Sequence, residues 1–141
     1  MAEKARNGAC HCGAVRFRVK LHGGLGEARR CDCSFCRMRG AVALTALRGD
    51  LEILSGAGRL TRYTFNTGVA EHFFCSVCGI YTHHHRRSNP REIGVNAACL
   101  EGLSPFDFDV VPVNDGRNHP ADNPDRAGDG IVGELRFIRR A

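Results

Sequence analysis

With 141 residues, 43% of them hydrophobic, the chain is long enough for one packed core, and a single globular domain over 1–141 is expected, its core running about 8–120. No apolar run approaches the roughly 18 residues that a membrane span requires, and Met1-Ala2-Glu3-Lys4-Ala5-Arg6-Asn7 lacks an apolar leader core, so a soluble, cytoplasmic protein without a membrane partner is expected. The formal charge is +5, yet there are no basic tails or aromatic-interleaved basic stripes, which argues against a nucleic-acid partner.

Taken in order, Gly8-Ala9-Cys10-His11-Cys12-Gly13 is a tight segment of small residues. Val15, Phe17 and Val19 then alternate with Arg16, Arg18 and Lys20, which predicts a half-buried strand. A turn at His22 to Gly26 sends the chain back through Glu27 to Arg30, and a hairpin here would set the first two cysteine groups near one sheet end. Cys31-Asp32-Cys33-Ser34-Phe35-Cys36 follows, flanked by Arg29, Arg30, Arg37 and Arg39. A short helical turn is expected up to Gly40, then a strand over 41–47, a turn at Arg48-Gly49-Asp50, a strand over 51–54 and another over 60–65. Val69 to Phe74 leads into Cys75-Ser76-Val77-Cys78-Gly79, and Ile80 to His85 leads out, the strand–knuckle–strand pattern of a zinc-ribbon half-site. In an extended run His83 and His85 share one face and His84 the other, with a solvated or hydrogen-bonded edge expected for them rather than a metal. A further strand is expected over 91–100. Beyond Gly102, four of the five prolines (Pro105, Pro112, Pro120, Pro124) and the pairs Asp115-Gly116 and Asp129-Gly130 predict a long irregular loop. Glu134 to Ile138 is expected to add an edge strand.

Seven of the eight cysteines thus fall into three groups, and only Cys99 stands apart. In a reducing compartment such groups are metal ligands more often than disulfides. Zinc takes four ligands; a structural site is closed by four protein donors, and a catalytic one keeps a position open. The two pairs, Cys10 with Cys12 and Cys75 with Cys78, make one closed site. The triplet Cys31, Cys33 and Cys36 makes a second, with room for water or a substrate thiol unless Cys99 completes it. With two Zn²⁺ the cofactor content is two metals per chain, and seven thiolates with two such ions take the formal charge from +5 to about +2.

The motifs Gly8-x-Cys10-x-Cys12-Gly13-x-Val15-x-Phe17, Cys31-x-Cys33-x-x-Cys36-Arg37, Phe74-Cys75-x-x-Cys78-Gly79 and a late Asp115-Gly116-Arg117 turn resemble those of the glutathione-dependent formaldehyde-activating enzyme family, which also includes centromere protein V. The resemblance implies an all-β, zinc-stabilised fold of tent-like antiparallel sheets, a structural four-cysteine zinc and a second zinc on the triplet. It further implies a carbon–sulfur lyase that condenses glutathione, or a similar thiol, with formaldehyde or another small aldehyde. An open zinc position would lower the pKa of a bound thiol, His119 or Tyr81 would protonate the nascent alkoxide, and Arg37, Arg86, Arg87 and Arg117 are candidates for the glutathione carboxylates. The alternative is a non-catalytic zinc-stabilised module that binds a small thiol or a macromolecular partner.

Overall fold

The computed structural model describes residues 4–119, 122 and 130–141. Pro120, Pro124 and Asp129 of the expected C-terminal loop lie outside the described residues. Among the described residues the strands are β1 (Ala5–Ala9), β2 (Arg16–Leu21), β3 (Arg30–Cys31), β4 (Ala43–Ser55), β5 (Leu60–Tyr63), β6 (Glu71–Cys75), β7 (Tyr81–His85), β8 (Glu92–Asn96), β9 (Val110–Asn114) and β10 (Ile131–Arg136), with one α-helical turn, α1 (Cys36–Arg39), and four short 3-10 turns. Seven strands form one sheet in the order β1-β2-β4-β8-β7-β6-β5, and the other three form a second, β10-β9-β3. Neighbours in the large sheet are all antiparallel, so the fold is all-β as the sequence implied.

The alternation in β2 has the expected result: Phe17, Val19 and Leu21 are buried while the basic residues between them face solvent. Gly8 stands opposite Phe17 across the β1–β2 ladder, and a Cβ there would fall 2.4 Å from the ring. Only glycine lets the ring lie flat over the neighbouring strand. Leu44, Ala46, Ile93 and Val95 join Phe17 and Val19 in the core, none more than 1% exposed, and Val111 from β9 closes it from the second sheet.

Three local expectations are corrected. Glu27 to Arg30 does not return as a hairpin beside β2. The second edge of β2 is taken by β4, which sets Ile53 opposite Phe17 and Leu51 opposite Val19, whereas β3 crosses to the small sheet and pairs in parallel with β9. The turn at Arg48-Gly49-Asp50 is instead a bulge within β4: the step from Val19 to Leu21 on β2 is matched by the longer step from Leu51 to Ala46. The bulge lets one strand pair with β8 at its start and with β2 at its end. The C-terminal part also holds more regular structure than its prolines suggested. Val111 and Val113 flank Pro112 in β9, and the expected edge strand forms as β10.

The β6–β7 ladder slips between Phe73 and Phe74, so Phe73 faces His83 while Phe74 faces Tyr81. The extra residue puts Tyr81 on the face of His84 and His72. His83 and His85 pack on Phe73 on the other face, with ring centroids 4.7 and 5.0 Å away. The split of the histidine run is as expected, but His83 is only 5% exposed rather than on a solvated edge. Among the described residues no helix is long and apolar enough to cross a membrane.

Burial, and then the neighbouring His85, lower the His83 imidazolium pKa to about 4. The unfolded chain therefore binds this proton at higher pH than the folded one, so stability falls as pH drops from about 6.5 toward 4. A His83→Leu variant is expected to reduce the slope of unfolding free energy against pH in that window by up to about 1.4 kcal/mol per pH unit. Urea titrations of both proteins at several pH values check this. Equal slopes would refute it.

Candidate metal centre and active-site cleft

The turn after β1 carries Cys10 and Cys12, and the knuckle between β6 and β7 carries Cys75 and Cys78. Their four sulfurs lie within 4.8 Å of one another. Cys10 Sγ is 3.7 Å from Cys12 Sγ, which is 3.8 Å from Cys75 Sγ. A tetrahedron built on Zn–S bonds of about 2.3 Å has edges of about 3.8 Å, so the donor set and its spacing fit zinc. Backbone N–H groups of Val15, Ala14 and Val77 donate to the sulfurs of Cys10, Cys12 and Cys75 at 3.3, 3.4 and 3.4 Å. Such bonds favour thiolates. Val15 and Leu60 pack against the buried Cys10 and Cys75. His11, between two of the sulfur donors, is exposed.

Cys31, Cys33 and Cys36 form the second group, again with sulfurs within 4.8 Å, and among the described residues no fourth cysteine, histidine or carboxylate joins it. Cys31 comes from β3, Cys33 from the following turn and Cys36 from the start of α1. The backbone N–H of Cys36 donates to Cys33 Sγ at 3.2 Å. Hydrogen bonds from Cys31 and Cys36 hold the Cys33 thiol far below its ordinary range, and sharing with Cys31 and Cys33 pushes Cys36 far above it. Three sulfurs this close, one of them backed by a backbone N–H, are a donor set that zinc fits. Cys99 does not complete the triplet. Its thiol donates to the backbone carbonyl of Tyr81 at 3.4 Å, and burial, followed by the charges of Cys10 and Cys78, pushes it up to about 12.

The parallel β3–β9 pairing sets Cys31 beside Asn114 and so brings the Asp115-Gly116-Arg117 turn onto the triplet. The Gly116 N–H donates to Asp32 Oδ1 at 2.8 Å. A Cβ on Gly116 would sit 2.3 Å from Cys31 Sγ and 2.9 Å from the Cys33 nitrogen, which explains a glycine at this contact.

The triplet opens on a cleft of about 610 Å³ whose lining includes Arg37, Arg39, Arg86, Arg87, Arg117, His72, His84 and His119. All four arginines proposed from sequence thus meet here. Arg86 pairs with Glu92 at 3.2 Å and Arg87 with Asp122, whereas Arg37 and Arg117 are exposed. His119 borders the cleft, half-buried. Tyr81 does not line it: the ring lies under the Arg39 guanidinium at 3.7 Å, its hydroxyl is 2.6 Å from His84 Nδ1, and burial pushes that hydroxyl above its usual range.

Sequence reasoning passed over Arg39 and His72. Arg39 Nη2 donates to Cys36 Sγ at 3.4 Å and Nη1 contacts His72 Nδ1 at 2.9 Å. Its spacing three residues after Cys36, on a helical turn, was the available clue. His72 becomes visible only once the β6–β7 register is known.

The family model described as "Glutathione-dependent formaldehyde-activating enzyme" matches residues 5–110. A curated relative from Halomonas elongata, whose name contains the words glutathione-dependent formaldehyde-activating enzyme, is 39% identical over 80 residues, a match covering 50% of each chain. The match thus spans about half the length of that relative. A crystal structure of a Rhodobacter sphaeroides protein is 59% identical with a TM-score of 0.75, covering 76% of this chain and 98% of that one.

A Gly116→Ala variant is expected to weaken metal binding at the triplet by about tenfold or more, because the added Cβ must displace Cys31 or the turn, while the four-cysteine site keeps its affinity. Chelator competition with a chromophoric indicator measures both. Unchanged affinity at the triplet would show that the turn simply yields.

Proposed function

Because this chain belongs to the glutathione-dependent formaldehyde-activating enzyme family, we propose that its three-cysteine cleft joins a glutathione-like thiol to a small aldehyde, as a zinc-dependent carbon–sulfur lyase. One observation carries the reading: three thiols gathered at the mouth of an arginine-lined cleft with no fourth protein donor among the described residues. Zinc held by Cys31, Cys33 and Cys36 would supply the Lewis acidity that makes a thiol nucleophilic at neutral pH. The four sulfurs of Cys10, Cys12, Cys75 and Cys78 would hold the structural zinc.

The chain's own groups do the rest. Arg37 and Arg117, exposed at the rim, suit the two carboxylates of glutathione, since a guanidinium engages a carboxylate through two parallel bonds. The thiol sulfur adds to the carbonyl carbon, the carbonyl π pair moves to oxygen, and the proton lost by the thiol ends on that oxygen. No oxidant or reductant is needed. His119, which lines the cleft, would carry this proton. Tyr81 serves the site from beneath, its hydroxyl orienting the His84 ring.

Metal analysis is expected to give two zinc per chain. Cys33→Ser should lose one and keep the fold, while Cys75→Ser should cost about 3 kcal/mol or more of stability because metal binding and folding are one equilibrium there. Equal damage from both substitutions would refute the division of labour. Exchange spectroscopy of glutathione with formaldehyde should show acceleration over the uncatalysed reaction. Tight thiol binding without acceleration would favour the non-catalytic module.

A further inference from the structure

His72 lies on β6, three residues before Cys75, with its Nδ1 2.9 Å from Arg39 Nη1. A guanidinium offers only donors, so Nδ1 must accept, and the single proton of the neutral ring resides on Nε2. That Nε2 is buried and has no hydrogen-bond partner among the described residues, although the ring borders the cleft of the triplet. Burial, and next the Arg39 charge, lower the imidazolium pKa to about 4, so the neutral tautomer persists at pH 7. Arg39 cannot easily swing away. It is held by Cys36 Sγ at 3.4 Å and stacked 3.7 Å over Tyr81 and 4.8 Å over Phe35. Its own Nε is a second buried donor without a partner. Two hydrogen-bonded residues therefore present donors and no acceptor. Buried donors are nearly always satisfied, and an acceptor oxygen bound in the cleft would satisfy the His72 one.

We propose that His72 Nε2–H is the hydrogen-bond donor to the aldehyde oxygen as it becomes an alkoxide, with Arg39 the positioning residue that fixes the tautomer. This rests on the adduct-forming reading above. As the C–S bond forms and the π pair moves to oxygen, His72 keeps its own proton and stabilises the charge; the proton that completes the hydroxyl is the one released by the thiol. A neutral imidazole polarising a carbonyl is well suited to this task. His84, stacked 5.3 Å away, is less suited because its Nδ1 engages the Tyr81 hydroxyl, which can either donate or accept.

The test compares His72→Gln, whose amide nitrogen falls near the Nε2 position, with His72→Asn, whose amide falls near Nδ1, and with His72→Phe. Circular dichroism and zinc content first establish that each is folded. In glutathione–formaldehyde exchange, Asn and Phe should lower the catalysed rate by about 100-fold or more, Gln should stay within about tenfold of the native rate, and glutathione affinity should hardly change. Native rates in all three variants, or Gln falling as far as Phe, would overturn the assignment. Nitrogen-15 spectra of labelled histidine should show His72 neutral and protonated at Nε2; protonation at Nδ1 would overturn it whatever the activity. A native protein that does not accelerate exchange overturns the adduct reading itself, and that failure is told apart because the tautomer would still stand.

Discussion

Four sulfurs drawn from segments 63 residues apart converge at one point of the large sheet. The β1–β2 turn and the β6–β7 turn belong to opposite halves of that sheet, with β4 and β8 between β2 and β7. Strands spaced about 4.8 Å apart would keep β2 and β7 about 14 Å apart in a flat sheet. Cys12 and Cys75 are nevertheless 3.8 Å apart at their sulfurs. The sheet must curl to allow it, and Phe17, Leu44, Ile93 and Val95 lie together in the core between. A metal on these sulfurs would clip the two halves together and offset the entropy of closing so long a loop.

The same clip fixes the cleft. Cys75 and His72 share β6, about 10 Å apart along the strand, so anchoring the knuckle sets the register that brings His72 to Arg39 and His84. Phe35, on the triplet loop, packs 4.4 Å from the His72 ring and 5.3 Å from Tyr63 on β5. The outer half of the sheet is thereby tied to the cysteine loop by aromatic contacts. The four-cysteine group and the cleft are thus joined through a single short strand.

What the sequence made legible followed from local rules. Ligand counting separated Cys10, Cys12, Cys75 and Cys78 from Cys31, Cys33 and Cys36, because the chemistry of zinc is set by donor type and number; the geometry agrees. Alternation found β2, and the knuckle found β6 and β7. Arg48-Gly49-Asp50 misled because composition cannot distinguish a turn from a bulge when the partner strand decides which forms. Pro112 hid β9, and with it the contact that lays Gly116 on Cys31. Cys99 was left open between two roles, and only the path of β8 takes its thiol to the Tyr81 carbonyl. His72 was invisible for a related reason: its partner Arg39 is 33 residues away, and the one-residue slip between β6 and β7 decides which rings share its face.

Arg39 shows how one charge sorts its neighbours. Its positive charge favours the thiolate at Cys36, against the hydrogen bonds from Cys31 and Cys33 that push that thiol up. The same charge reinforces burial in keeping His72 and His84 neutral. A single guanidinium therefore lowers the cost of a thiolate at Cys36 and keeps an uncharged donor at His72, where a solvated lysine in its place would satisfy neither the planar stack on Tyr81 nor the two-pronged contact with Cys36 and His72. Water would erase this contrast by screening the charge and supplying acceptors. It survives because Phe35 and Tyr81 stack on the guanidinium and shield it, so the Arg39–His72 pair carries donors and no free acceptor, the polarity that the proposed alkoxide would require.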